Sequence, residues 1–246
     1  MKSKFGATVP TKAAANSASE ARLSFAQVLL DRANAPDLRK TERTRLRLLA
    51  SIAGRLSDGS EHTELRVADV AAAAGLGHGT FYRYFPDLRS AMEALVTDFA
   101  AFLHDQLTYA RDGTSGSRNR VRGATLAYTR AFRANAGLMR CLISLSREDT
   151  VFSKAFQALN DGWNRRMASA LARRPGFKSS PNHPPSLAFL PTAYALGGMI
   201  DEFLTQLYLR RVPSLSHLAN DEVAVADLLT ELWCLSAYGR LPPGGR

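Results

Sequence analysis

The chain has 246 residues, 46% hydrophobic and 22% charged, enough apolar material to bury a core without disulfide or metal staples. Its 32 Lys and Arg exceed its 22 Asp and Glu to give a formal net charge of +10, and most of the cations are Arg. Guanidinium forks suit phosphate partners, although GC-rich coding also enriches Arg. Cys141 and Cys234 are far apart, with no CxxC and no nearby His pattern. Neither a disulfide framework nor a metal site is expected on that ground, and two buried, reduced thiols in a cytoplasmic protein are.

Residues 1–36 are expected to be an N-terminal extension, partly disordered. No periodicity is visible over 1–16, and no apolar region follows the basic opening, so no secretory leader is expected. Ser17-x-x-Glu20 has the form of a capping box opening a short helix, with Leu23, Phe25, Val28 and Leu29 apolar and Asn34-Ala-Pro36 ending it. This segment could pack on the first helix of the domain beyond it, lend Lys2, Lys4 and Lys12 to phosphates, or do neither, and the sequence favours the last.

Residues 37–86 are expected to form a compact helical domain. A helix over about 37–56 carries Leu46, Leu49, Ile52, Ala53 and Leu56 at helical spacing, and Asp58-Gly59 stops it. Its start is densely cationic, with Arg39, Lys40, Arg43, Arg45 and Arg47. Two short helices come next, over 67–74 and 77–85, joined by a turn in which Gly75 supplies a left-handed residue. Val70, Ala74, Leu76, Phe81 and Tyr84 are the positions such a pair must bury, and Ala71 lies at the crossing. The second helix offers His78, Thr80, Tyr82 and Arg83 outward, with Gly77 and Gly79 permitting close approach. A helix of this kind fits a major groove, whereas the same residues could equally form a short solvated helix over core aromatics.

Pro86 breaks the chain and Asp87 is a good N-cap for a long helix running to about residue 111, with Leu88, Met92, Leu95, Val96, Phe99, Phe102 and Leu103 on its apolar stripe. The polar stretch 112–117 is the clearest boundary, and five further helices are expected at about 118–135, 137–146, 149–173, 185–211 and 221–239. Asn135-Ala-Gly137, the Pro-rich segment 175–185 and Val212-Pro213 separate them. No β-like alternation is present, so the chain is expected to be all-α, with 87–246 a helical bundle. The longest uncharged apolar run, 187–200, is shorter than the roughly 20 residues of a membrane span.

Gly75-Leu-Gly-His-Gly-Thr-Phe-Tyr-Arg-Tyr-Phe85, between a basic helix and an amphipathic one, closely resembles the DNA-binding domain of TetR-type repressors over roughly 39–110. Gly75, Leu76, Gly79, Thr80, Tyr82, Tyr84 and Phe85 match the usual string. Gly77 stands where that string has a capping Ser, Arg66 where a Thr or Ser opens the preceding helix, and Leu88 in place of a phosphate-binding Lys. The resemblance implies an N-terminal helix-turn-helix domain and a C-terminal bundle for dimerisation and ligand binding. In that scheme His78, Thr80 and Arg83 contact bases, with Gly77 and Gly79 at closest approach, and Tyr82, Arg66, Arg89, Arg43 and Arg47 contact phosphates.

Large apolar residues of the second half fill the bundle or line a cavity, two readings that the sequence does not separate. The resemblance implies that some of them, with Met139, Leu142, Phe152, Phe156, Trp163, Tyr194 and Phe203 the candidates, line a pocket for a small apolar or amphipathic inducer. On the last two helices Ala195, Gly198, Leu207, Val225, Leu228, Leu229, Leu232 and Trp233 exceed what one monomer needs to bury. They fit a homodimer interface or an intramolecular hairpin, and the resemblance favours the former. A two-fold dimer would set two reading helices about 34–36 Å apart on a pseudopalindromic double-stranded operator.

The expected activity is thus ligand-responsive transcription regulation, most often repression, with no catalytic residue, metal or cofactor. Asp201-Glu202 on an apolar helix is expected to be solvated, to pair with an Arg, or to anchor a ligand. Rival readings are a sequence-tolerant architectural DNA binder that uses the Arg surplus without a ligand, and an all-α enzyme with an accidental helix-turn-helix.

Overall fold

The computed structural model describes residues 23–57, 64–112, 116–147, 151–173 and 185–239, and among them every regular element is helical. The expectations for residues 1–16, the Ser17–Glu20 box, the Asp58-Gly59 stop and nearly all of the 175–185 break lie outside the described residues. The fold is all-α, as the sequence predicts.

Helix α1 (Phe25–Ala33) begins on Ser24, whose hydroxyl accepts from the Gln27 amide at 3.5 Å, and it buries Phe25, Leu29 and Ala33. The sequence favours an idle extension here, and for this helix that is incorrect. The Phe25 ring lies 5.4 Å from Phe99 and 5.1 Å from Phe102, so an aromatic cluster on the long helix captures it.

Helix α2 (Lys40–Ser57) buries Leu46, Leu49, Ile52, Ala53 and Leu56 at the expected spacing. The short α3 (Val67–Ala73) and α4 (His78–Phe81) come next, then the long α5 (Leu88–Asp112). Asp87 caps α5 as expected: its Oδ1 accepts from the Ser90 amide at 2.7 Å, and that backbone hydrogen bond holds the carboxyl below its ordinary range.

The second half comprises α6 (Ser117–Ala134), α7 (Ala136–Leu145), α8 (Val151–Ala172), α9 (Pro185–Ala188), α10 (Leu190–Leu204) and α11 (Glu222–Tyr238). The single helix expected over 185–211 is interrupted at Phe189. Pro191 lacks an amide donor and is accommodated in the first turn of a restarted helix. At its far end α10 widens into a π turn over Thr205–Leu209. Helices α6 and α11 run antiparallel, with Arg118 on Glu231 (3.5 Å), Arg122 on Asp227, and Arg130 and Arg133 both on Glu222 (3.3 and 3.0 Å). Such partly exposed pairs add little stability individually, but together they fix register.

One hydrophobic cluster runs without a break from α1 and α2 through α5 and α7 to the π turn and α11. The expected division at residues 86 and 87 therefore corresponds to no gap in the core. The tightest link across it lies where α6 gives way to α7. Asn135 is fully buried there; its Oδ1 accepts from the Phe25 amide at 2.8 Å, and its Nδ2 donates to the Leu23 and Ala131 carbonyls at 2.7 and 2.8 Å. Two residues on, the backbone of Gly137 lies so close to the Leu56 carbonyl of α2 that no Cβ fits.

Asn135→Ala strands a buried amide and carbonyl of the α1 entry and should lower the unfolding free energy by about 1–3 kcal/mol. Gly137→Ala drives a methyl into backbone that cannot yield and should cost a similar ~1–3 kcal/mol. Urea unfolding monitored by circular dichroism measures both, and unchanged midpoints would contradict this account of the junction.

Candidate nucleic-acid interface and ligand cavity

Helix α3 ends in a Schellman turn. The Leu76 amide donates to the Ala71 carbonyl and the Gly75 amide to the Ala72 carbonyl, each at 2.9 Å, with Gly75 at φ +71°. The turn directs α4 across α3 over a contact in which Val70, Ala71 and Phe81 have no exposure and Phe85 has 5%. Ala74, Leu76 and Tyr84, expected to be buried, are half-buried. Ser51 of α2 locks the pair by donating to the Val70 carbonyl at 2.9 Å. Helix α4 is shorter than the sequence predicts: regular α-structure ends at Phe81 and turns carry the chain to Tyr84. Two glycines weaken its propensity, and Pro86 disfavours helix at the residue before it.

What this rigid backing presents outward is Gly77, His78, Gly79, Tyr82 and Arg83, with Thr80 half-buried beside them. Tyr82 is 51% exposed, with its ring edge-on to His78 at 5.4 Å. Arg66 is exposed at the N-cap of α3 and Arg47 is exposed on α2. Arg89, in the first turn of α5, is exposed and pairs with Glu93 at 3.3 Å.

Arg43 is a different case and corrects the expectation for it. Its Nε donates to the Ala33 carbonyl at 3.0 Å and its Nη2 to those of Ala35 and Leu38 at 3.4 and 3.3 Å, which clamps the end of α1 to the start of α2. Arg45 is likewise engaged, with its guanidinium 5.6 Å over the Phe85 ring and 3.5 Å from Asp98 of α5. Charge clustering in a sequence marks where cations lie along the chain but not which of them have carbonyl or carboxylate partners.

A cavity of about 950 Å³ opens among α5, α6, α8, α10 and α11. Of the expected wall residues, Phe156, Trp163 and Tyr194 line it. Met139, Leu142 and Phe152 are buried in the main core instead, and Phe203 packs against that core. The reason is the position of α7, which packs against both α2 and α5, so that its large side chains are covered before they reach the cavity. Periodicity marks an apolar face but not which neighbour covers it.

The wall also holds polar groups that apolar patterning could not find. Tyr128 of α6 donates its hydroxyl to Asp201 Oδ1 of α10 at 2.8 Å, and Tyr194 donates to Asp161 of α8 at 3.0 Å. Asp201 has exposed surface, and it lines the cavity. The protein packed around it pushes its carboxyl above the ordinary range, only partly opposed by the hydrogen bond from Tyr128. Burial likewise pushes the Tyr128 hydroxyl well above its usual range, which keeps it a donor. Glu202 turns the other way and pairs with Arg210 at 2.7 Å. Asn164, buried on the wall, has an amide oxygen with no hydrogen-bond partner.

The outer face of the last two helices divides the interface candidates. Leu228 and Leu232 are 37% and 40% exposed on α11, and Leu235, not foreseen, is 47% exposed one turn further along. Ala195 and Gly198 are exposed on α10, although Gly198 also touches the cavity. Leu207, Val225, Leu229 and Trp233 are buried inside the single chain, which corrects their assignment to an outward face. They belong to the side of each helix that the bundle itself covers.

Among the described residues no cluster of three or more His, Cys, Asp or Glu could hold a metal ion. No described helix is long and apolar enough to cross a membrane. No family model matches the sequence and no curated protein does, but solved structures match over most of the chain. A TetR-like transcriptional regulator from Rhodococcus sp. RHA1 is 18% identical, covering 82% of this chain and all of its own, with a TM-score of 0.61. The fatty acid degradation regulator FadR from Bacillus halodurans is 15% identical over 77% of this chain and 94% of its own, TM-score 0.57. FadR from Bacillus subtilis, solved in complex with stearoyl-CoA, is 13% identical over 79% and 98%, TM-score 0.58. The chain therefore has the fold of the TetR-type transcriptional regulators.

The raised Asp201 carboxyl has a consequence for stability. A carboxyl whose pKa rises on folding favours the folded state at low pH, and that advantage is lost as pH rises through the folded value. Asp201→Asn keeps an acceptor for Tyr128 and removes the charge from the cavity wall. It should raise the melting temperature at pH 7.5 more than at pH 3.5, and a gain independent of pH would contradict this assignment.

Proposed function

We propose that the protein is a ligand-responsive transcriptional regulator that binds a pseudopalindromic operator as a homodimer and, as a repressor, leaves it when a small amphipathic molecule enters the cavity. The observation that carries this reading is continuity. Helix α5 starts directly after the reading pair, and further along the same helix Ala100, Leu103, His104 and Leu107 form cavity wall. A ligand that favours one arrangement of α5 thereby biases the position of α4, and a few kcal/mol of differential affinity changes operator occupancy substantially.

The outer surface of α4 and the turn after it supports base recognition. His78, Thr80 and Arg83 are the base-reading candidates, with Gly77 and Gly79 at closest approach, and Tyr82, Arg66, Arg47 and Arg89 are the phosphate candidates. The exposed Leu228, Leu232 and Leu235 of α11, with the exposed small Ala195 and Gly198 of α10, support helix-to-helix pairing with a second copy. A neighbour of the same fold that holds stearoyl-CoA supports an amphipathic ligand.

On an operator selected from random duplexes, Arg83→Ala should lose about 1–3 kcal/mol of affinity and relax preference at one position per half-site. Arg66→Ala should weaken binding evenly on all sequences and reduce the salt slope by about 1. An unchanged footprint and affinity for Arg83→Ala overturns the reading. Leu232→Glu places a charge among the exposed leucines of α11 and should yield a folded monomer by sedimentation equilibrium; a persistent dimer would locate the interface elsewhere.

A further inference from the structure

The chemistry of the cavity differs between its ends. Along α6, Arg120 and Tyr128 both lie on the wall eight residues apart, about 12 Å at the rise of an α-helix. Along α8, Phe156 and Ala170 are likewise at opposite ends of the lining, about 21 Å apart by the same rise, and Arg173 lines the wall just past the helix's last residue. Tyr128 carries Asp201 with it through their 2.8 Å hydrogen bond. Val121, beside Arg120, and Ala172, beside Arg173, pack on one apolar cluster, whereas Tyr128 and Phe156 pack on the other, so one end bears guanidinium groups and the other a carboxyl.

Among the described residues Asp201 forms no salt bridge, and its one hydrogen bond comes from a neutral hydroxyl on one of its two oxygens. A second acceptor on the wall, the buried Asn164 amide oxygen, has no donor. This contrasts with the other acids of the region, since Asp161 holds Arg165 and Glu202 holds Arg210. Between the two ends the wall is largely apolar or aromatic, including Leu103, Val121, Trp163 and Met167. A carboxyl that faces the cavity with one oxygen unbonded and no cation beside it offers an incoming positive group a partner that the protein does not supply.

We propose that the cavity takes an elongated amphiphile carrying a basic nitrogen, whose ammonium group seats against Asp201 and whose apolar body runs past Trp163. This rests on the reading of the cavity as the ligand site and names the chemistry of that ligand. A fatty acid entering head-first would set its carboxylate against that of Asp201, and one entering tail-first would leave Asp201 as it stands, so neither fits as well. Arg120 and Arg173, a helix length away, can accept a polar or anionic far end.

The test compares three probes of equal chain length, decylamine, decanol and decanoate, at submicellar concentrations and pH 7 on the full-length protein. The chain's two tryptophans, Trp163 and Trp233, both line the cavity, so their fluorescence reports occupancy directly. Decylamine should bind at least about tenfold more tightly than decanoate, with decanol between. Asp201→Asn should bring decylamine to parity with decanol, and Asp201→Glu should retain the ordering. Equal or tighter binding of decanoate, no binding of decylamine, or a preference unchanged in Asp201→Asn overturns the proposal. Operator affinity measured with and without saturating decylamine separates the two claims. Tight, Asp201-dependent binding that leaves DNA affinity unchanged upholds the ligand class and refutes ligand-responsive regulation.

Discussion

The junction at Asn135 and Gly137 is the constraint on which the rest of the structure depends. A buried amide satisfies the entry of α1 on one side and the end of α6 on the other, while two residues later α7 approaches the last turn of α2 with no room for a side chain. Because buried polar groups are costly to leave unpaired and close-packed backbone cannot be compressed, the orientation of α2 relative to the bundle is narrowly set. The α3–α4 pair inherits that orientation through Ser51 and the contact among Val70, Ala71 and Phe81, and α5 carries it into the cavity wall. An uninterrupted core between the two halves is what would let a small change in the cavity be felt at the outer surface.

The distribution of charge qualifies the simplest inference from a net +10. Four arginines of α6 face the acids of α11, Arg43 holds three carbonyls, and Arg45 bridges Phe85 and Asp98. These cations organise helices. The ones left outward around α3 and α4, Arg47, Arg66 and Arg83, are a small subset, which on the proposed reading suits a few accurately placed contacts rather than general attraction of nucleic acid.

The cavity repeats the theme of opposite partners. Tyr128 and Asp201 come from helices far apart in sequence, and the same is true of Tyr194 and Asp161. Each pair crosses between helices at the wall, so a ligand that exchanges one of these hydrogen bonds for its own would alter the spacing of α6 from α10 or of α8 from α10.

Local information by itself determined the all-α class, the helix of 40–57, the left-handed Gly75, the Asp87 cap and the outward residues of α4. All of these arise from spacing, backbone conformation or capping within a few residues. Only the tertiary structure decided that α1 is captured by Phe99 and Phe102, that Arg43 is a clamp, that Met139, Leu142 and Phe152 are core while Phe156, Trp163 and Tyr194 are wall, and that Asp201 faces the cavity while Glu202 faces away. The difference is physical. A helix's own period says which side chains share a face, but what covers that face depends on partners that the chain brings in from tens of residues away.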